Sequence, residues 1–377
     1  MPNRFPRRLV LAGMGSGLLA GLFTALPAVA LPRRMLAFPR DHGAHPDLRT
    51  EWWYITGQAV SGEGARARQF GFQVTFFRSR VEATQGLKSR FAAKQLIFAH
   101  AAMTDVQGRK LWHDQRIARE GFDVAAAATK DADLRLRDWS LQRQPAKGAP
   151  ATPGTPPELW LARVQAGDFA LDLRLQPAQP LLLQGDQGLS RKGPDADQAS
   201  YYYSLPQLQT RGRISLKGET FDVTGKAWLD HEWSEALLHP DAVGWDWIGM
   251  NLLDGSALTA FRLRRADGST LWSGGSFRAQ SSSGLLTFIA SPGEVAFSPQ
   301  RWWTSPLSRA RYPVEWIVRT PADFYTVKAV IDNQELDSRA STGAIYWEGL
   351  SELFDSNGKL VGRGYLEMTG YANPLRM

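Results

Sequence analysis

The octapeptide Phe169-Ala170-Leu171-Asp172-Leu173-Arg174-Leu175-Gln176 puts a large apolar residue at every second position. Successive side chains of an extended strand point to opposite faces, so Phe169, Leu171, Leu173 and Leu175 share one face and Asp172, Arg174 and Gln176 the other. The same period of two runs through Phe70, Phe72, Val74 and Phe76, through Phe221, Val223, Gly225, Ala227 and Leu229, and through Tyr325, Val327, Ala329 and Ile331. One dry face and one wet face is the signature of antiparallel sheet. Ala266-Asp267-Gly268 and Ser356-Asn357-Gly358 read as hairpin turns, because glycine takes positive φ without a clash. No long apolar stripe of period 3.6 occurs, and the one place left for a short helix follows Trp233. The chain reads as all-β.

Its 377 residues suffice for two domains, and 35 glycines and 22 prolines suit a turn-rich β protein. A 43% hydrophobic content with 21% charged residues excludes a disordered chain. Pro145 to Pro157 is a low-complexity insertion between strand patterns. The polar gap from Gly185 to Ala199 reads as the domain linker, which predicts an N-terminal β domain over 31–198 and a C-terminal one over 199–377. Similar strand, turn and Trp units at Phe98–Trp112 and Leu258–Trp272 are a weak sign of tandem units. Closed barrels remove exposed sheet edges and can hold one small apolar ligand.

Residues 1–30 read as an export leader. Arg4, Arg7 and Arg8 precede an apolar run from Leu9, and Ala28-Val29-Ala30 is a cleavage pattern. Arg7-Arg8 resembles a twin-arginine signal, with secretory export and a retained anchor as the alternatives. A periplasmic or secreted location is expected. Losing three arginines and no acid takes the formal charge from +7 to +4. Without a dense Lys/Arg cluster, nucleic acid is not expected as a partner, while peripheral contact with anionic membrane is. The absence of cysteine excludes disulfides, thiol nucleophiles and Cys metal sites.

Chemistry concentrates in Trp228-Leu229-Asp230-His231-Glu232-Trp233 and in Trp245-Asp246-Trp247. Asp and His are costly to bury unpaired, so acids, an imidazole and indoles together suggest an apolar site with one polar reaction centre. His231 titrates near neutrality, and Asp230 can fix its tautomer or act as a protonated acid. Asp230, His231 and Asp246 are the candidate catalytic residues, against the alternative of a structural hydrogen-bond cluster. Trp233, Trp245 and Trp247 are the candidate ligand walls, since indole faces attract cations. Glu51 and Trp53 point one way from Arg49-Thr50-Glu51-Trp52-Trp53-Tyr54, and Tyr201 and Tyr203 share a face of their strand. These four are further candidates for ligand contact. Gly43 and Pro46 disfavour the helix that Asp41, His42, His45 and Asp47 would need as a metal site, so neither metal nor cofactor is expected. G-x-S-x-G, H-E-x-x-H and P-loop motifs are absent.

Taken together, His45 to Tyr54, Phe98-Ala99-His100, Ser200 to Ser204, Leu229 to Ser234, Gly244 to Trp247, Tyr346 to Gly349 and Gly362 to Tyr371 resemble the AttH/CrtC-like family. The resemblance spans nearly the whole mature chain and implies two tandem lipocalin-like antiparallel β-barrel domains. The family includes carotenoid 1,2-hydratases, exported proteins labelled predicted secreted hydrolases and often associated with ABC transporters, and polyketide cyclases. His231 and Trp233 fall on its Asp-His-x-Trp motif, which implies proton transfer and cation stabilisation. The resulting expectation is an exported protein acting on a carotenoid, other terpenoid or lipid by acid-catalysed hydration. A non-catalytic periplasmic lipid carrier or transporter accessory is the alternative, and a secreted hydrolase the third reading.

Overall fold

The computed structural model describes residues 30–64, 67–146, 157–236, 238–282 and 284–375. All but the last residue of the expected leader lies outside them, as does most of the Pro145–Pro157 segment. The regular structure of the described residues is strand, apart from one-turn 3-10 helices such as Arg40–His42 and Glu82–Thr84. The expected turns form: Gly268 (φ 84°) and Gly358 (φ 77°) adopt left-handed backbone and donate to Arg265 O and Asp355 O, each at 2.9 Å. The helix expected after Trp233 is not found among the described residues. Trp233 belongs to the strand Glu219–Ala236, and a turn at Pro240 and Asp241 leads into the next strand.

The strands of the described residues form two antiparallel sheets. The first runs Lys110–Arg119, Gln95–Asp105, Arg68–Arg80, Thr50–Ser61, Glu219–Ala236, Ala199–Leu216, Phe169–Gln176, Glu158–Gln165, Trp139–Pro145, Asp133–Leu136 and Ala125–Ala127. Its end strands meet where Gly121 N donates to Ala125 O at 2.8 Å, so the sheet curls into a nearly closed barrel. The second runs Gly284–Ala290, Thr270–Ser281, Ala257–Arg264, Gly244–Leu252, Leu360–Met368, Ala344–Phe354, Phe324–Ala329, Arg311–Arg319 and Ala296–Thr304. This is a lipocalin-like all-β architecture.

The expected boundary at 198/199 does not divide the sheets. The hairpin Ala199–Leu216/Glu219–Ala236 is the middle of the first sheet, between Thr50–Ser61 and Phe169–Gln176, and the change of sheet falls between Ala236 and Gly244. The polar gap misled because it is not a free linker. Leu182 and Leu183 pair with Ser204 and Tyr203, and Leu189 to Arg191 pair with Tyr201 to Ala199. The sequence echo maps to a hairpin in each sheet, but the first lies at a sheet edge and the second has Gly284–Ala290 outside it.

Inside the first barrel, Trp53, Trp139, Trp160, Trp233 and a row of phenylalanines form a filled core. The segment after the leader folds into that core. Ala44 belongs to it, Ala44 N donates to Ala128 O at 2.8 Å, and Trp53 Nε1 donates to His42 O at 2.9 Å. The outer face of the same sheet packs on the second sheet. Gln207 N donates to Asn251 Oδ1 at 2.7 Å, Asn251 Nδ2 to Ala227 O at 3.0 Å, and Thr104 Oγ1 to Gln334 Oε1 at 2.8 Å. Gly71 permits this approach, since a Cβ there would lie 2.7 Å from Tyr365 Oη and 2.9 Å from Leu350 Cβ. Covered on both faces, Ala227 to Ser234 is buried at every residue, so alternation in sequence polarity disappears there.

Candidate active site

Strand pairing decides which side chains meet. Thr50–Ser61 runs antiparallel to Glu219–Ala236 with Glu51 opposite Trp233, Trp52 opposite Glu232, Trp53 opposite His231 and Tyr54 opposite Asp230. Opposed residues share a face. Glu51, Trp53, His231 and Trp233 therefore point into the barrel, and Trp52, Tyr54, Asp230 and Glu232 point out of it. A cavity of about 760 Å³ lies on the outer side, between the two sheets. Trp52, Tyr54, Tyr202, Trp245, Trp247 and Phe261 supply aromatic walls; Asp230, Glu232, Glu348 and Glu367 supply carboxyls.

Of the predicted catalytic residues, Asp230 lines this cavity and His231 and Asp246 do not. Of the predicted ligand walls, Trp245 and Trp247 line it; Glu51, Trp53, Trp233, Tyr201 and Tyr203 face the barrel core instead. Asp246 is fully buried on the other side of its strand, where Arg262 Nε donates to Oδ2 at 2.7 Å and Tyr371 Oη to Oδ1 at 2.9 Å. That is a structural ion pair within the second sheet.

The Asp230 carboxyl is held from three directions. Tyr202 Oη donates to Oδ2 at 2.7 Å, and Trp228 Nε1 (2.7 Å) and Ser204 Oγ donate to Oδ1. Trp247 Nε1 in turn donates to Tyr202 Oη at 3.3 Å. Burial disfavours the charged form strongly enough to outweigh these donors and raises the carboxyl to about 7. Two carboxylate oxygens offer about four lone-pair positions, so three donors leave room for one proton. Glu367, on the second sheet, is raised to about 7 by burial despite a favourable contact from Trp245. Glu348 is pushed well above the usual carboxylate range by burial and by Glu367 opposite it. Glu232 accepts from Lys192 Nζ at 2.9 Å and from Ser200 Oγ. His100 is buried beside Tyr346, 2.9 Å from Nδ1 to Oη, and burial drops it to about 3, so it is neutral.

The barrel face carries a different network. Glu51 accepts from His45 N at 2.8 Å and Arg78 Nε at 2.8 Å, and lies 2.7 Å from His45 Nδ1 and 2.9 Å from His231 Nε2. Burial alone would raise this carboxyl; hydrogen bonds from His231 and His45 outweigh it and hold Glu51 well below the usual range. Burial lowers His231 to about 4 against the pull of Glu51, so the ring is neutral and donates through Nε2. Tyr203 Oη is 3.3 Å from His231 Nδ1 and 2.7 Å from His42 Nδ1. Tyr201 Oη donates to Pro32 O and Arg34 lies over its ring, tying residues 32–34 to the barrel. His45, Glu51 and His231 bring three potential ligand atoms within 4.8 Å of one another. The Arg78 guanidinium already on Glu51 would oppose a dication there.

Tyr202, Tyr54, Glu348 and Glu367 were not among the sequence candidates. Tyr202 is signalled by parity, since only the middle of three consecutive tyrosines faces away from Tyr201 and Tyr203. No local signal marks Glu348 and Glu367 as cavity residues, because the cavity exists only once the sheets stack.

Sequence comparison agrees with this architecture. The AttH-like family matches residues 29–371, and the chain belongs to that family. A crystal structure assigned as an AttH from Nitrosomonas europaea is 45% identical, with a TM-score of 0.80, over 91% of this chain and 99% of that one. Kievitone hydratase from Nectria haematococca shares the fold at 12% identity, with a TM-score of 0.64, over 93% of this chain and 95% of that one. No sequence among the curated proteins matches significantly.

Proposed function

We propose that the inter-sheet cavity hydrates an alkene carried by an apolar ligand, a terpenoid or lipid, with an acyclic carotenoid as the class the family resemblance suggests. The observation that carries this reading is Asp230: a carboxyl raised to about 7, anchored by three donors and facing a cavity walled by indoles and phenols. A general acid works best with its pKa near the working pH. Protonated Asp230 gives its proton to the less substituted alkene carbon, and the π pair becomes the new C–H bond. The cation left on the neighbouring carbon is sheltered by Trp245, Trp247 and Tyr54, whose ring faces favour positive charge. Water then forms the C–O bond and returns a proton to the Asp230 carboxylate, so the net change is addition of one water. His231 supports this site from behind, by holding the strand that presents Asp230.

Purified protein incubated with neurosporene or lycopene should give a product heavier by one water, and Asp230→Asn should form it at least about a hundredfold more slowly. If the wild-type protein adds water to no terpenoid alkene, the reading fails. The apolar lining also favours a second reading, a carrier that binds such a ligand and releases it unchanged. Native mass spectrometry would then show bound lipid without turnover. Export by the leader, a periplasmic location and association with a transport system belong to the proposal and are supported by the sequence alone.

A further inference from the structure

We propose that the Glu348–Glu367 end of the cavity binds an organic cation, a protonated amine or quaternary ammonium on an apolar body. Glu348 and Glu367 stand directly opposite each other on Ala344–Phe354 and Leu360–Met368, so their side chains share one face and both line the cavity. Glu348 is 1% exposed; its carboxylate oxygens complete no hydrogen bond, and the nearby Tyr54 hydroxyl favours the charged form too weakly to outweigh burial. The Tyr54 hydroxyl lines the same cavity and faces Glu348 without completing a hydrogen bond. Among the described residues no ion pair reaches Glu348 or Glu367; of the cations lining the cavity, Lys192 is committed to Glu232 at 2.9 Å and Arg80 to Glu235 at 3.0 Å.

A buried, unpaired carboxyl beside a second carboxyl is costly, because both desolvation and like-charge repulsion oppose ionisation. A ligand that brings one positive charge removes both costs. The surroundings decide what kind of cation. Among the described residues no three cavity carboxylates have oxygens within 4.8 Å of one another, whereas His45, Glu51 and His231 on the barrel face do. The cavity therefore lacks the clustered oxygens a metal dication needs. Its walls are aromatic instead: Trp247 sits opposite Glu367 in the strand pairing, Trp245 lies two residues before it, and Tyr54 packs T-shaped against Trp247. Carboxylates flanked by indole and phenol faces suit a bulky, weakly hydrated ammonium. The inference is independent of whether the cavity hydrates an alkene.

The test uses three probes with the same twelve-carbon chain: dodecyltrimethylammonium, dodecanol and dodecanoate, each titrated below its micelle concentration with tryptophan fluorescence as readout. The cation should bind about tenfold or more tighter than the alcohol, as expected for a charged partner on a buried carboxyl, and dodecanoate weakest. Glu348→Gln should bring the cation to the alcohol's affinity and leave the alcohol unchanged. Glu367→Gln serves as the second variant should Glu348→Gln fail to fold, with the same loss expected. Equal affinity for cation and alcohol, or unchanged cation preference in a folded variant, overturns the proposal.

Discussion

Glu51 and Asp230 lie on the same two neighbouring strands, both fully or almost fully buried, yet their carboxyls are driven in opposite directions. Glu51 points into the barrel and meets two imidazoles, a guanidinium and a backbone N–H, which together hold it ionised. Asp230 points between the sheets, where its partners are neutral hydroxyls and an indole, and burial dominates. Burial by itself does not make a functional acid. What distinguishes the two faces is whether a fixed cation accompanies the carboxylate and whether a cavity lies in front of it. The barrel cluster is a closed electrostatic account of structure; the inter-sheet cluster is left incomplete, as a ligand site must be.

The comparison breaks most severely at Glu51. Glu51→Ala leaves Arg78, 1% exposed, without its carboxylate, and removal of one partner from a buried pair costs about 3–5 kcal/mol. Urea unfolding should show that loss; a melt within error of wild type would mean the barrel face is not structural. On the other face, Asp230→Asn should lower hydration kcat by about 10²–10⁴, the usual contribution of a general acid, with little change in Tm. Gly71→Val tests the shared wall. Overpacking there should cost about 1–3 kcal/mol and weaken apolar probe binding, because the second sheet must move away. The smallest effect is expected for Glu348→Gln, a gain of about 1 kcal/mol at alkaline pH from removing an uncompensated buried carboxyl.

The two faces also predict opposite pH behaviour. On the barrel face His231, lowered to about 4, and His42, held well below its ordinary range by burial, contribute stability present above an ordinary histidine pKa of about 6.5 and lost as pH falls through their folded values. Asp230 and Glu367, raised to about 7, contribute stability present below the ordinary carboxylate range near 4 and lost as pH rises through about 7. Glu348 has the same sign as these acids. Glu348→Gln should therefore raise Tm more at pH 8 than at pH 5, and an equal change at both would contradict the assignment.

Much of the fold was legible because antiparallel strands announce themselves by alternation, as at Phe169 to Gln176, and because glycines at 268 and 358 mark turns. The site was half legible. The acidic and aromatic stretch from Trp228 to Trp233 stands out by composition, but its polarity hides that the strand through Leu229 continues to Ala236. Treated as strand, its period of two separates Asp230 and Glu232 from His231 and Trp233, and the same rule separates Trp245 and Trp247 from Asp246. Tyr202 was passed over for its neighbours on the opposite face. Glu348 and Glu367 were beyond reach, since their proximity to Asp230 depends on sheet stacking over residues far apart in the chain. Nor can local polarity reveal that the hairpin of Ala199–Leu216 and Glu219–Ala236 inserts between strands formed much earlier.

That insertion sets a timetable. Thr50 pairs with Ser234, and the strand ending at Gln176 pairs with the one beginning at Ala199, so the two halves of the first sheet cannot join until Ala236 has been synthesised. Until then, the edge of Thr50–Ser61 waits unpaired, and contacts of such long sequence separation form slowly. The nascent chain is thus exposed to mispairing for most of its first 236 residues. The strand that presents Asp230 is also the one whose arrival closes the barrel.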